Sequence, residues 1–244
     1  MKFLSLFRKR KEPSQGEIVE AFQNSFESDN VVDMAIDVTD ITIDKFIESD
    51  FINDIPVVNI LNGAYKIYKN VQSYRLAKKV FLFLYHTNDI EVDKKKEFVK
   101  EFIESNQEEG VDVLLSVIDQ LDNQNKVVIM TRLLKARIDN NISIQDFNRL
   151  VSCLQRIPYS DLNKMPDYLE RHYEAGITEV LFAAGVLYDC FEDFDDGNDM
   201  YKLNRNGILL IKYGLYIDIP VPESYPIERP SVIVADESMI YDQN

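Results

Sequence analysis

From Val57 to Leu154 the apolar residues recur three and four positions apart, and this spacing constrains the fold more than any other feature. A helix turns once in 3.6 residues, so such spacing lines one helical face, whereas a half-buried strand would alternate. Pro56 suits a helix start, because its missing N–H is one that the first turn leaves unpaired anyway. Behind it Val57, Ile60, Leu61, Ala64, Ile67, Tyr68, Val71 and Tyr74 form a wide apolar stripe, with Asn59, Asn62, Lys66, Lys69 and Asn70 opposite. Residues 76–85 are apolar nearly all round apart from Lys78 and Lys79 and read as a buried helix; a strand over 80–85 is the alternative. Four more helices are expected over 93–105 (Phe98, Val99, Phe102, Ile103 inward), 110–121 (Val111, Leu114, Leu115, Ile118), 125–138 (Val127, Met130, Leu134) and 143–156 (Phe147, Leu150, Val151, Leu154). Ser143 and Asp146 have the form of a capping box, and Asp139-Asn140-Asn141 is a turn signal before it. Connections this short favour antiparallel neighbours, so residues 55–175 are expected to form a helical bundle in a mainly α fold.

The flanks differ from this core region. Residues 1–16 read as a flexible basic start, and residues 17–54 as an acidic segment. A short helix is expected over 17–28, through Ile18, Val19, Phe22 and Phe26. Residues 31–43 alternate Val, Ile, Thr and Asp and read as a strand or as extended acidic chain. Toward the other end, residues 178–187 read as a buried helix. Residues 188–194 and 200–203 then flank an acidic turn, Asp195-Asp196-Gly197-Asn198-Asp199, and Asn204 is placed to cap a last helix running to about Tyr213. Helix, hairpin, helix is the order of a winged-helix-like α+β unit, assigned to 176–216. Residues 217–244 contain Pro220, Pro222, Pro226 and Pro230 and are expected to be an extended tail.

Three segments carry a family resemblance: Asp54-Ile55-Pro56-Val57-Val58, the run Lys78-Lys79-Val80-Phe81-Leu82-Phe83-Leu84, and Tyr201-Lys202-Leu203-Asn204-Arg205-Asn206-Gly207. Together they resemble bacterial helical proteins of the abortive-infection alpha type, over about residues 40–215. The resemblance implies a helical body with a winged-helix-like end, a bacterial or mobile-element origin and a role in phage defence. It brings no catalytic residues with it.

Charge narrows the function classes. The net charge is −15, and residues 17–54 hold eleven acids against Lys45 alone. Residues 55–85 hold five bases (Lys66, Lys69, Arg75, Lys78, Lys79) and no acid, so the two blocks are able to neutralise one another. An acidic chain repels phosphate backbones. The expected recognition helix at 178–187 has no Lys or Arg and the expected wing is acidic, so nucleic-acid binding is not expected. No stretch reaches the roughly 18 apolar residues of a membrane span. Arg8-Lys9-Arg10-Lys11 follows the apolar residues of the start, the wrong order for a secretory signal. With two cysteines only, a reducing, cytoplasmic setting is expected.

Chemistry-bearing motifs are absent: no phosphate-binding glycine loop, no G-x-S-x-G and no HExxH. His86 and His172 have no Cys or His at ligand spacing, so no zinc site and no cofactor is expected. Cys153 lies on an apolar face and reads as an inert buried thiol, and Cys190 sits among acids that make it a poor nucleophile. Asp189, Glu192, Asp193, Asp195, Asp196 and Asp199 do not fit an EF-hand. Aligning Gly197 with the loop glycine puts Leu203 where the twelfth-position carboxylate belongs. The leading reading is a non-enzymatic interaction or regulatory protein with a protein partner, working through the bundle, the winged unit or the tail. The alternative is a membrane-associated effector, peripheral to the inner membrane face. It would insert Phe3, Leu4, Leu6 and Phe7 beside Arg8, Lys9, Arg10 and Lys11, with help from the basic apolar helix 57–79. An enzyme built on carboxylate pairs is the third reading.

Overall fold

Where the sequence repeats its apolar residues at three and four, the computed structural model has helix. It describes residues 13–28, 55–68, 71–106, 111–190 and 200–222. Among the described residues, seven α-helices precede the C-terminal unit: α1 (Gln15–Phe26), α2 (Pro56–Tyr68), α3 (Val71–His86), α4 (Val92–Asn106), α5 (Asp112–Gln120), α6 (Gln124–Ile138) and α7 (Ile144–Arg156). The stripe that begins at Val57 is shared between α2 and α3, and residues 80–85, for which a strand was the alternative, lie inside α3. The 31–43 segment lies outside the described residues.

The helix ends follow local chemistry. Ser14 and Glu17 form a capping box at α1, and Ser143 and Asp146 form the expected one at α7. At the end of α6, Asn140 takes φ +59°; its N–H donates to Arg137 O, and Asn141 N–H donates to Ala136 O. These two bonds are a Schellman closure, in which asparagine tolerates the left-handed position.

Aromatic rings join the helices. Phe26 of α1 meets Phe83 of α3 with centroids 5.1 Å apart, and Phe22 joins them. Phe98 and Phe102 of α4 pack on Phe147 of α7 at 5.3 and 6.1 Å. α6 is central: Val127, Met130, Leu133 and Leu134 are fully buried, and the helix packs against α3 and α7. Each such side chain contributes about 1.5–3 kcal/mol of burial, set against the entropy of ordering it.

After α7, Pro158 opens a 3₁₀ segment, Tyr159–Leu169. Its buried residues are Leu162, Met165 and Tyr168. Spacing by three matches the three residues per turn of this helix, which stacks i and i+3 on one side. α8 (Ile177–Ala183) follows, then an antiparallel pair, β1 (Leu187–Asp189) and β2 (Tyr201–Leu203), then α9 (Arg205–Leu209), which runs into a π-turn, Leu210–Gly214. The expected helix 178–187 is therefore too long. Gly185, at φ +82°, ends it: Gly185 N–H donates to Phe182 O and Val186 N–H to Leu181 O, a second Schellman closure, and the chain leaves as β1. Asn204 caps α9 as expected, accepting from Gly207 N–H. Beyond the π-turn the chain runs to residue 222 without regular secondary structure, with Tyr216 at φ +58°. Ile219 is buried, and Lys212 Nζ donates to its carbonyl. One continuous apolar core includes Phe22, Phe83, Met130, Leu154, Leu181, Leu203 and Leu210.

Candidate functional site

The stretch from Tyr168 to Thr178 is where polar and aromatic chemistry concentrates. Tyr168 is fully buried, and its hydroxyl shares a 2.7 Å hydrogen bond with Thr178 Oγ1. Burial pushes the Tyr168 phenol above its usual range. Thr178 Oγ1 also accepts from Glu174 N–H at 2.9 Å and donates to Glu174 O at 3.0 Å, so the backbone of Glu174 is held from both sides. Two residues earlier, His172 exchanges backbone hydrogen bonds of 3.1 Å with Tyr201, which adds it to the hairpin as an isolated bridge. The His172 ring stands edge-on to Tyr168, with centroids 4.9 Å apart.

Two sets of side chains project from this scaffold. The first is aromatic. Tyr201 lies 5.4 Å from Phe182 and 6.4 Å from Tyr173, and the latter two are nearly half exposed, at 48% and 46%. Tyr173 donates its hydroxyl to Glu179 Oε1. The Glu179 carboxylate also accepts backbone N–H bonds at the start of α8, and these donors hold its pKa below the ordinary value. Asp189 of β1 pairs with Tyr201 across the ladder. The second set is Asp167, His172 and Glu174, whose ligand-type atoms all lie within 4.8 Å of one another. Lys164 Nζ sits 3.2 Å from Glu174 Oε2.

A separate cleft of about 540 Å³ opens between α6, the 3₁₀ segment and the chain after the π-turn. Val128, Ile129, Leu162 and Leu215 give it apolar walls, and Asn125 and Arg132 contribute polar groups. The Arg132 guanidinium donates to Gly214 O and lies 4.5 Å over the Tyr216 ring. That use of Arg132 by the fold leaves its charge partly answered.

The residues marked in the sequence fall in different places. Phe3, Leu4, Leu6, Phe7, Arg8, Lys9, Arg10 and Lys11 lie outside the described residues, as do Glu192, Asp193, Asp195, Asp196 and Asp199. The apolar face of 57–79 is packed into the core through Val57, Val58, Leu61, Ala64 and Ala77. Lys79 is turned inward: its ammonium donates to Asp119 O near the end of α5, and burial pushes its pKa below the lysine value. Cys153 is buried, and burial raises its thiol pKa; burial does the same at Cys190, where Asp189 adds to it. His86 closes α3 against Tyr85, at 5.2 Å. Among the described residues no helix is long and apolar enough to cross a membrane.

Two features have no strong local signature. Asp167 and Glu174 lie outside any Cys/His ligand spacing, although Asp-x4-His-x-Glu is a usable mixed-donor spacing. Tyr173 comes from the loop before α8, Phe182 from α8 and Tyr201 from β2, and no local pattern joins them. Comparison with protein-family models, with curated proteins and with solved structures returns no match to this chain.

Proposed function

We propose that the chain is a non-enzymatic interaction or regulatory protein and that its docking surface is the aromatic face of Tyr173, Phe182 and Tyr201. The observation that carries this reading is the clustering. Single exposed aromatics are ordinary, whereas two exposed rings, Tyr173 and Phe182, both packed on the partly buried Tyr201 mark a recognition patch. Tyrosine and phenylalanine supply large contact area at low entropic cost, and their ring faces attract cations. Charge selects the partner: the chain carries −15, and six acids, Asp189 to Asp199, fall within the twelve residues before Tyr201. A basic protein segment is the complementary surface. We read α8, the hairpin and α9 as a winged-helix-like unit used for protein contact, since α8 has no Lys or Arg with which to grip a phosphate backbone. The resemblance to abortive-infection alpha proteins makes bacterial phage defence the proposed setting.

The test is affinity capture from bacterial lysate with the full chain and with a Tyr173→Ser/Phe182→Ser variant. Both substitutions are at exposed positions, so circular dichroism is expected to be unchanged. The intact chain is expected to retain a basic protein, released as salt rises, and the variant to lose it. Equal capture by both chains overturns this assignment of the face. Capture that depends only on residues 1–11, with partition onto anionic vesicles, would favour the membrane-associated alternative.

A further inference from the structure

We propose that Asp167, His172 and Glu174 bind a first-row divalent transition-metal ion of the zinc type. The observation that points to a ligand is the His172 ring: on a side chain that is 36% exposed, its Nε2 is itself shielded from solvent and has no hydrogen-bond partner among the described residues. A buried ring nitrogen left in this way is costly, and native structures rarely leave one without a reason. The carboxylate oxygen Glu174 Oε2 lies 3.9 Å from it. That separation is too long for a hydrogen bond. It is close to what two ligands of one ion adopt, because metal bonds of about 2.0–2.2 Å set adjacent donors roughly 3–3.5 Å apart. Asp167 brings a second carboxylate within 4.8 Å of both.

The donor set fits such an ion chemically. Two carboxylates neutralise a dication, and an imidazole nitrogen favours zinc and its neighbours over calcium or magnesium, which prefer oxygen alone. Three protein ligands leave room for water. The ligands are also held in advance: His172 by its paired backbone bonds to Tyr201 and by the Tyr168 ring, and Glu174 by Thr178. In the described structure Lys164 answers part of the Glu174 charge at 3.2 Å, so it competes with an ion for that carboxylate. Bound metal would tie the 3₁₀ segment, which carries Asp167, to the hairpin through the His172–Tyr201 bridge. This inference stands apart from the partner reading: metal binding is measured on the purified chain with no partner present.

The chain has only two histidines and two cysteines, which makes the test discriminating. The chelator-treated full chain is titrated with Zn²⁺ by calorimetry and with Co²⁺ alone by visible absorption, whose bands report coordination. One saturable equivalent is expected. His172→Ala and Glu174→Gln should each weaken it by at least about tenfold, since even outer partners of metal ligands are worth that much. Asp167→Asn should weaken it in the same direction, while Lys164→Gln should tighten it, an effect that a purely structural role for these residues does not produce. His86→Gln and Cys190→Ser should leave the titration unchanged. Asp167 is exposed, so the Asp167→Asn variant keeps the test decisive if His172→Ala does not fold. Failure of the intact chain to bind either ion saturably overturns the proposal. So does binding that is equal in the intact chain, Glu174→Gln and Asp167→Asn, or binding abolished by His86→Gln or Cys190→Ser instead.

Discussion

His86 shows how one residue's surroundings set a pH response. Burial at the end of α3 disfavours its charged form, the Lys135 and Arg132 cations add to this, and Asp89 opposes it; the net effect lowers its pKa below the usual 6.5. The unfolded chain therefore binds a proton at a higher pH than the folded chain does. Stability is unaffected by this group well above pH 6.5 and falls as acidification passes through the unfolded value. Urea denaturation of the intact chain and His86→Gln between pH 7.5 and 5.5 checks this, with the variant expected to lose less stability over that window. Gly207 is a second single-residue lever. A Cβ there would fall on the Val186 carbonyl oxygen and close to the Leu203 side chain, because α9 packs directly on the hairpin. Overpacking against a backbone atom has no soft way out. Gly207→Ala is expected to cost about 2 kcal/mol and to lower the melting temperature by roughly 4–8 °C in a chain of this size.

Among the elements, α7 and α9 are coupled by a charge pair. The Asp146 carboxylate caps α7 through Ser143 N–H and takes both Arg205 guanidinium nitrogens from the start of α9. The Arg205 hydrogen bonds are the main cause that holds Asp146 below its ordinary pKa of 3.8, with the Ser143 bonds adding to it and burial opposing it. Asp146→Ala removes a cap partner and a bidentate charge-assisted pair at once. The expected cost at neutral pH is about 2 kcal/mol, read by denaturant midpoint. The sign with pH is the reverse of the histidine case. The stabilisation is present above the unfolded carboxyl value and is lost as pH falls through the lower folded one, so intact chain and variant should converge in acid. The lengths of the helices have equally local causes: α8 stops at Ala183 because Gly185 can enter the left-handed region and Val186 can then reach back to Leu181.

At the scale of the molecule, the body does not end at the last helix. Ile217, Ile219 and Val221 pack on the core after the π-turn, and the Lys212 ammonium holds the Ile219 carbonyl. Burying an isoleucine and parts of two more apolar residues is worth about 2–3 kcal/mol, or roughly 5–10 °C for a chain of this length. A chain ending at Tyr216 is therefore expected to melt that much below one ending at Pro222. Equal melting temperatures would show that this segment contributes nothing to the core. The same continuity explains why the hairpin, only three residues on each strand, is ordered: two strands alone are marginal, and here Leu187 and Leu203 are buried in the core shared with the helices.

The mainly α character, the helices from Val92 to Arg156 and the caps at Ser143 and Asn204 were legible in the sequence, because helix periodicity and capping are local properties; the apolar stripe over 57–74 did not show that α2 ends at Tyr68 and α3 begins at Val71. Cys153 as a buried thiol and the burial of the 57–64 stripe were legible for the same reason. The 3₁₀ segment has a weak sequence signal because its spacing by three is short and includes Pro166, and α8 is shorter than its apolar run because Gly185 stops it. Only the tertiary structure decided which side chains meet. Asp146 lies 59 residues from Arg205, and His172 lies 29 residues from Tyr201. The aromatic face draws Tyr173 from a loop, Phe182 from α8 and Tyr201 from β2. Proximity of that kind is produced by packing around a common core, and no local pattern encodes it.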